Sequence, residues 1–382
     1  MTLLTMNKDY NNEFCLDDKL IHVNHAAVAP WPLRTKNAVI EFAEENSRQG
    51  SLSYLHWMEK EQYLREQLRN LINAESTDEI ALLKSTSEAL SVVAYGIDWQ
   101  AGDSIVTSIE EFPSNRILWQ SLEPLGVDVR LVDFSLTDDA EQALIDASDA
   151  STRLLSISAV QYASGRKMDL QRLGQHCQSE NILFCVDAIQ QIGALTFDVE
   201  KINADFVAAD GHKWMLGPEG LALFYCRKRH LPSLKLNQYG WHMVEKMHDF
   251  NSLEWQPALS ARRFECGSPN MTGVMALSAS LSLLEEAGMQ TVEEKVLNNT
   301  RFLLEELSHR ENLEILSNAQ DDKQSGIVIF KHQQLSNDEL FNYLKDQQVF
   351  CAPRGGGIRL SPHFYTPESK LQALLKIIDK AS

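Results

Sequence analysis

Short continuous apolar runs punctuate the first half of the chain, and stretches of helical period fill the intervals between them. The runs are Glu79 to Leu83, Ser104 to Thr107, Leu154 to Ser158, Ile182 to Val186 and Phe206 to Ala209. Each is too brief for a helix and rich in strand formers, which is the pattern of strands buried on both faces of a parallel sheet. Helical spacing recurs at Ala89 to Ile97, on the way to Trp119, and at Leu170 to Ser179. Upstream, Leu55, Met58, Leu64, Leu68 and Leu71 keep the same period. Strand, helix and loop thus alternate from residue 79 to residue 213, which predicts right-handed crossovers and a mostly parallel sheet. Leu221 to Tyr225, entered through Gly217-Pro218-Glu219-Gly220, reads as an antiparallel strand. Residues 229–262 have no period and read as a long loop able to cover a site.

Beyond residue 263 the order changes. A helix from Gly273 to Ala287, a long amphipathic helix from residue 290, strands near 313–317 and 326–330, a helix from Asp338 to Gln347 and a last helix after Pro367 predict a small α+β domain. The expected division is an N-terminal arm (1–20), a large α/β domain (21–262) and a small C-terminal domain (263–382), which 382 residues can support.

Charge narrows the partners. With 35 basic against 53 acidic residues the net charge is −18, so there is no basic surplus to neutralise the phosphates of a nucleic acid or an anionic membrane. No stretch approaches the length of a transmembrane helix, and the polar start, Met1 to Phe14, lacks the apolar core of a signal peptide. The cysteines at 15, 177, 185, 226, 266 and 351 show neither Cys-x-x-Cys nor metal-ligand spacing. The expectation is a reduced, cytoplasmic protein without a metal.

Chemistry gathers where strands end. One strand runs into Asp187 and another into Asp210-Gly211-His212-Lys213, so each delivers charge to the edge where open α/β sheets build their sites. A lysine and a carboxylate placed this way suit pyridoxal 5′-phosphate. Lys213 would form the Schiff base with the aldehyde, and Asp187 would keep the pyridine nitrogen protonated. The plain alternative is a salt bridge at the sheet edge with His212 in solvent, since most lysines are surface charges. Ser85, Thr86 and Ser87 stand at a helix start, where small hydroxyl residues act as caps and where free N–H groups and the dipole hold a phosphate. Near the C-terminus, glycines flank Arg354 and Arg359, and a guanidinium there can grip a carboxylate bidentately.

Asp187-x-x-Gln190, Gly211-His212-Lys213-Trp214 and Arg263-Phe264-Glu265-Cys266-Gly267-Ser268-Pro269-Asn270 together resemble the class V aminotransferase family of fold-type I pyridoxal phosphate enzymes. That family includes cysteine desulfurases, selenocysteine lyases, kynureninases and isopenicillin N epimerases, and the resemblance covers nearly the whole chain. It implies a large domain with a mostly parallel sheet of the seven-stranded type, plus the small α+β domain. It assigns Ser85, Thr86 and Ser87 to the cofactor phosphate, Gln190 to the phenolic oxygen, and His212 to the phosphate or ring. Arg359 would clamp the α-carboxylate of an amino-acid substrate, and the segment around His25 and Ala27 would lie beside it. Ser268 would reach the phosphate of a neighbouring subunit's cofactor, which implies a homodimer with Gly267-Ser268 completing the adjacent site.

Departures from the pattern matter as well. Phe112 stands where desulfurases stack a histidine on the ring; an aromatic face can stack but cannot move a proton. Tyr162 occupies the slot of an asparagine that bonds the phenolic oxygen, with the Gln161 amide as another donor near the substrate. Asp210 replaces a phosphate-binding serine. Cys351, just upstream of Arg359, reads as structural, and Arg354 as a surface charge or a second anion contact. The expected activity is transamination or desulfurase-type elimination on an amino acid. A cysteine desulfurase or selenocysteine lyase proper, and a silent cofactor-binding protein, are the alternatives. A silent copy would have no chemical need for Lys213, Asp187 and Arg359 together, and no Gly-x-Gly-x-x-Gly follows a strand to suggest a dehydrogenase.

Overall fold

The structure, a computed structural model, describes residues 10–318 and 320–381; the first nine residues of the expected arm lie outside it. β1 (Ile21–His22) leads into two long helices, α1 (Leu33–Gln49) and α2 (Tyr54–Leu71). Strands and helices then alternate: β2 (Ile80–Leu83), α3 (Thr86–Gly96), β3 (Ser104–Ser108), α4 (Pro113–Gln120), β4 (Asp128–Val132), α5 (Ala140–Asp146), β5 (Thr152–Ser158) and α6 (Leu170–Glu180). β6 (Leu183–Asp187), β7 (Phe206–Asp210) and β8 (Ala222–Cys226) close the series. They form a seven-stranded sheet in the order β2-β8-β7-β6-β5-β3-β4. All neighbours from β4 to β7 are parallel, and β8 runs antiparallel to both β7 and β2.

The continuous apolar runs follow from helices lying on both faces. In β6, Phe184 and Val186 feed one core while Cys185 between them feeds the other, the two-residue alternation of a strand with no solvent side. β4 escaped the sequence reading because it is an edge strand. Asp128-Val-Arg-Leu-Val is largely exposed, and Arg130 pairs with Asp128 and Asp149. Charge on an edge blunts pairing with other chains.

The second unit comprises α7 (Met271–Ala287), α8 (Met289–Ser308), β9 (Leu313–Ile315), β10 (Val328–His332), α9 (Asn337–Asp346), β11 (Val349–Phe350), β12 (Ala352–Arg354), β13 (Gly357–Leu360) and α10 (Glu368–Ile378). β12, β13, β10 and β9 make an antiparallel sheet in that order. Two segments sit across the division expected at residues 21 and 263. α7 packs along α1 and α2, with the Ser280 hydroxyl 2.7 Å from that of Thr35 and donating to Leu216 O at 2.8 Å. β1 pairs in parallel with β11, and Ile21 and Val23 join the small-domain core. An apolar stripe marks a buried face without saying which core it faces. No helix among the described residues is long and apolar enough to cross a membrane.

Candidate active site

β6 and β7 are neighbours, with Asp187 opposite Ala208, so their carboxyl ends open onto the same side of the sheet. Gly211 turns the chain tightly beyond β7, its N–H donating to Leu221 O at 2.9 Å. Trp214 is fully buried and donates its indole N–H to Gln190 Oε1 at 3.0 Å, which fixes the residue after Lys213. A cavity of about 290 Å³ forms here, lined by Asp187, Gln190, Asp210, His212 and Lys213 from these two strand ends. Ser85, Thr86 and Ser87 line it from the start of α3, Ala27 from the N-terminal segment, Phe112 and Tyr162 from the loops after β3 and β5, and Arg354 and Arg359 from the β12–β13 hairpin. A larger open cavity of about 860 Å³ among α2, α6 and α8 contains none of these groups.

Asp187 is 3 % exposed. Burial drives its pKa above the usual carboxylate range, against the pull of two donors: Ile189 N–H at 3.1 Å and the Asn115 amide at 2.7 Å. Burial draws the Lys213 ammonium down to about 8, opposed by Asp187. Its Nζ lies 5.8 Å from the centre of the Phe112 ring, which meets Tyr162 edge to face at 5.1 Å. Arg359 is buried, which lowers its pKa to about 10, and one of its N–H groups donates to Tyr162 O at 2.9 Å. His212 Nδ1 stands 2.9 Å from Asp210 Oδ1. The carboxylate expected to repel a phosphate thus faces a histidine.

The residues suit pyridoxal phosphate on two independent observations. Ser85 caps α3 by accepting Glu88 N–H at 3.2 Å, which leaves the N–H groups of the first turn for an external anion. Thr86 Oγ1 and Arg359 Nε are buried at the cavity without any partner among the described residues. An orphaned hydroxyl at a helix start fits a phosphate, and an orphaned guanidinium N–H fits a carboxylate. Gln190 spends one amide N–H on Ala26 O at 2.9 Å and keeps the other.

Two expected residues lie elsewhere. Gln161 is fully buried, does not line the cavity, and donates its amide N–H to Glu111 Oε1 at 2.7 Å. Ser268 is exposed and outside this cavity. His25 is a core residue bonded to Ser361 O and the Tyr365 hydroxyl. Cys351 is also buried, its thiol pushed up to about 12, and no cysteine lines the cavity.

Sequence reasoning missed Asn115 and Glu111. Glu111 is 3 % exposed and accepts from Ser158 N–H (2.8 Å), Ser158 Oγ–H (2.5 Å) and Gln161. Burial raises it to about 7 in spite of those donors. The signal was its place in Glu110-Glu111-Phe112-Pro113-Ser114-Asn115, immediately after β3.

The aminotransferase class-V family profile matches residues 21–362. A probable cysteine desulfurase of Methanothermobacter thermautotrophicus is 30% identical over 385 residues, 94% of each chain. An uncharacterized aminotransferase of Bacillus subtilis, YcbU, is 30% identical over 315 residues, 82% of each. In fold, the apo cysteine desulfurase from Thermococcus onnurineus NA1 is similar with a TM-score of 0.89 at 24% identity, covering 100% of this chain and 99% of that one. The cystine C–S lyase C-DES, bound to its product cysteine persulfide, gives 0.88 at 21% identity over 96% and 98%. With a profile match that takes in both strand-end motifs and the arginine hairpin, the chain belongs to the class V aminotransferase family and is a pyridoxal phosphate-dependent enzyme acting on an amino acid.

Proposed function

We propose that this enzyme carries out desulfurase-type elimination and releases the side-chain group of its amino acid into solution, without passing it to an enzyme thiol. One observation carries the reading: Lys213, Asp187 and Arg359 share a cavity that no cysteine of the same chain reaches among the described residues. A thiol acceptor must be a thiolate on a segment able to approach the substrate. Cys351 is buried with a raised pKa, and β12 joins β13 through Gly355-Gly356 alone, too short a link to carry a nucleophile inward. The curated relatives named probable cysteine desulfurases support side-chain chemistry at sulfur, and C-DES is an instance of the fold described as a C–S lyase.

Bound pyridoxal phosphate supplies an electron sink that acidifies Cα. The first turn of α3, with Thr86 and Ser87, would hold the phosphate, with Phe112 as an aromatic neighbour of the ring. Asp187, oriented by Asn115 and Ile189, would serve the pyridine nitrogen, and the remaining Gln190 N–H the phenolic oxygen. Arg359 would grip the α-carboxylate and so fix how Cα is presented. Lys213 Nζ would take the Cα proton. Phe112 cannot share that task, so proton movement falls to the lysine.

We also infer a homodimer in which Gly267-Ser268 completes the partner's site, and a cytoplasmic location, which the free cysteines support. The test follows the visible absorption of the holoenzyme after L-amino acids are added without any keto acid. Elimination requires product over many turnovers while the starting spectrum returns. Conversion that stops after one equivalent would overturn it in favour of transamination.

A further inference from the structure

We infer that the substrate's side chain carries an oxyanion, such as a carboxylate or sulfinate, held by Arg354 while Arg359 holds the α-carboxylate. The inference rests on the assignment of Arg359 proposed above and adds a substrate class to it.

Strand register puts the two arginines on one face of the hairpin. Arg354 on β12 lies opposite Gly357 on β13, and Arg359 is two residues beyond Gly357. They are therefore diagonal neighbours on one face, a separation of roughly 7–8 Å, and both line the cavity. The hairpin holds this spacing firmly. Gly355 and Gly356 have φ of +62° and +79°, as a tight two-residue turn of type I′ requires. A Cβ on Gly355 would lie 2.0 Å from Ala163 O, and one on Gly357 would lie 2.3 Å from Phe330 O. The turn is thus fitted closely against the loop after β5 and against β10, so Arg354 stands at the cavity mouth on a fixed support.

Charge then singles out Arg354. Asp210 faces His212, Asp187 is met by Asn115 and Ile189, and Arg359 leans on the Tyr162 carbonyl. Arg354 donates to the carbonyl of its own neighbour Pro353 at 2.9 Å, and no carboxylate pairs with it among the described residues. Once a phosphate occupies the α3 N-terminus and an α-carboxylate occupies Arg359, this guanidinium is the cation left over beside the substrate. A neutral side chain would leave Arg354 without a counter-charge beside the substrate; an acidic one would pair with it. Burial and then the nearby Arg354 charge both lower the pKa of Arg359, which agrees with that crowding.

The test is calorimetric binding of succinate and of propionate to the holoenzyme. Wild type should bind succinate tighter than propionate by on the order of 10- to 100-fold. Arg354→Gln should bring that ratio close to one, and Arg354→Lys should retain part of it, since a point charge replaces a fork. Arg359→Gln should weaken both ligands. Equal binding by wild type, or an undiminished ratio in Arg354→Gln, would overturn the inference. Because neither ligand turns over, the result stands whether elimination or transamination is the reaction; the spectroscopic test above judges that separately.

Discussion

At the scale of single residues, burial sets the chemistry. Lys213 is pulled from an ordinary 10.5 down to about 8 because its ammonium is out of water, and Asp187 recovers only part of that cost. Attack on an aldehyde needs the neutral amine, whose fraction grows about tenfold per pH unit below the pKa and then saturates. Loading of cofactor onto apo protein, followed by the growth of visible absorbance between pH 6 and 10, should therefore level off near pH 8. A rate still climbing at pH 10 would show that Lys213 is solvated like any surface lysine. Asn115 works one step away. Its amide supplies one of the two protein hydrogen bonds to the Asp187 carboxylate. Asn115→Ala would leave Oδ2 buried without a donor, a cost of about 1–3 kcal/mol. The melting temperature should fall by a few degrees, and cofactor affinity, titrated by absorbance, should fall roughly tenfold because Asp187 is no longer held in place.

Elements explain what the sequence could and could not disclose. The strands were legible because burial on both faces writes an unbroken apolar run, and Asp187 and Lys213 were legible because those runs end on charge. The β8 strand was legible through the Gly217–Gly220 turn ahead of it. α1 was not: of its seventeen residues only Thr35 is buried, so no stripe announces it. Glu111 and Asn115 were hidden for another reason. Their partners, Ser158 and Asp187, lie on β5 and β6, and only the sheet order brings those strand ends beside the start of α4. Glu111 ties α4 to β5 and, through Gln161, to the loop whose Tyr162 carbonyl receives Arg359. Burial raises its pKa from 4.5 to about 7. Between those values the folded chain keeps a proton that the unfolded chain has lost. The stability from this group is thus fully present below pH 4.5 and is lost as pH rises through 7. The whole swing is roughly 3 kcal/mol. Glu111→Gln removes the titration, and Gln161, whose Oε1 has no partner, can turn its amide to accept from the new side chain. Melting temperatures at pH 5 and pH 8 should show the variant gaining on wild type as pH rises. A constant difference between the two proteins would mean that Glu111 does not titrate in this window.

At the scale of the whole molecule, exposed apolar side chains bear on the homodimer inferred above. Phe250, Leu253, Trp255 and Leu259 are 75%, 99%, 59% and 71% exposed along one long loop, and Leu52, before α2, and Leu55, in its first turn, are 80% and 78% exposed. Apolar side chains grouped in this way suit that homodimer. Ser268 adds a chemical reason for a second copy. It sits on the segment after Glu265, which Arg65 and the Leu82 N–H hold firmly from α2 and β2, yet it does not line the cavity of its own chain. If Ser268 completes the partner's phosphate site, each active site depends on two chains, and two differently damaged chains can repair one another. Lys213→Ala destroys the site of its own chain, whereas Ser268→Glu puts a carboxylate beside the phosphate of the neighbouring one. Each variant alone should be inactive. After mixing and subunit exchange, half of the dimers pair the two variants, and each such dimer carries one site with an intact lysine and an intact serine. About a quarter of wild-type activity should return, the arithmetic of a twofold-symmetric pair. Activity retained by Ser268→Glu alone would place Ser268 outside any active site. A mixture that stays inactive, while native mass spectrometry shows mixed dimers, would mean that each cavity is completed within its own chain.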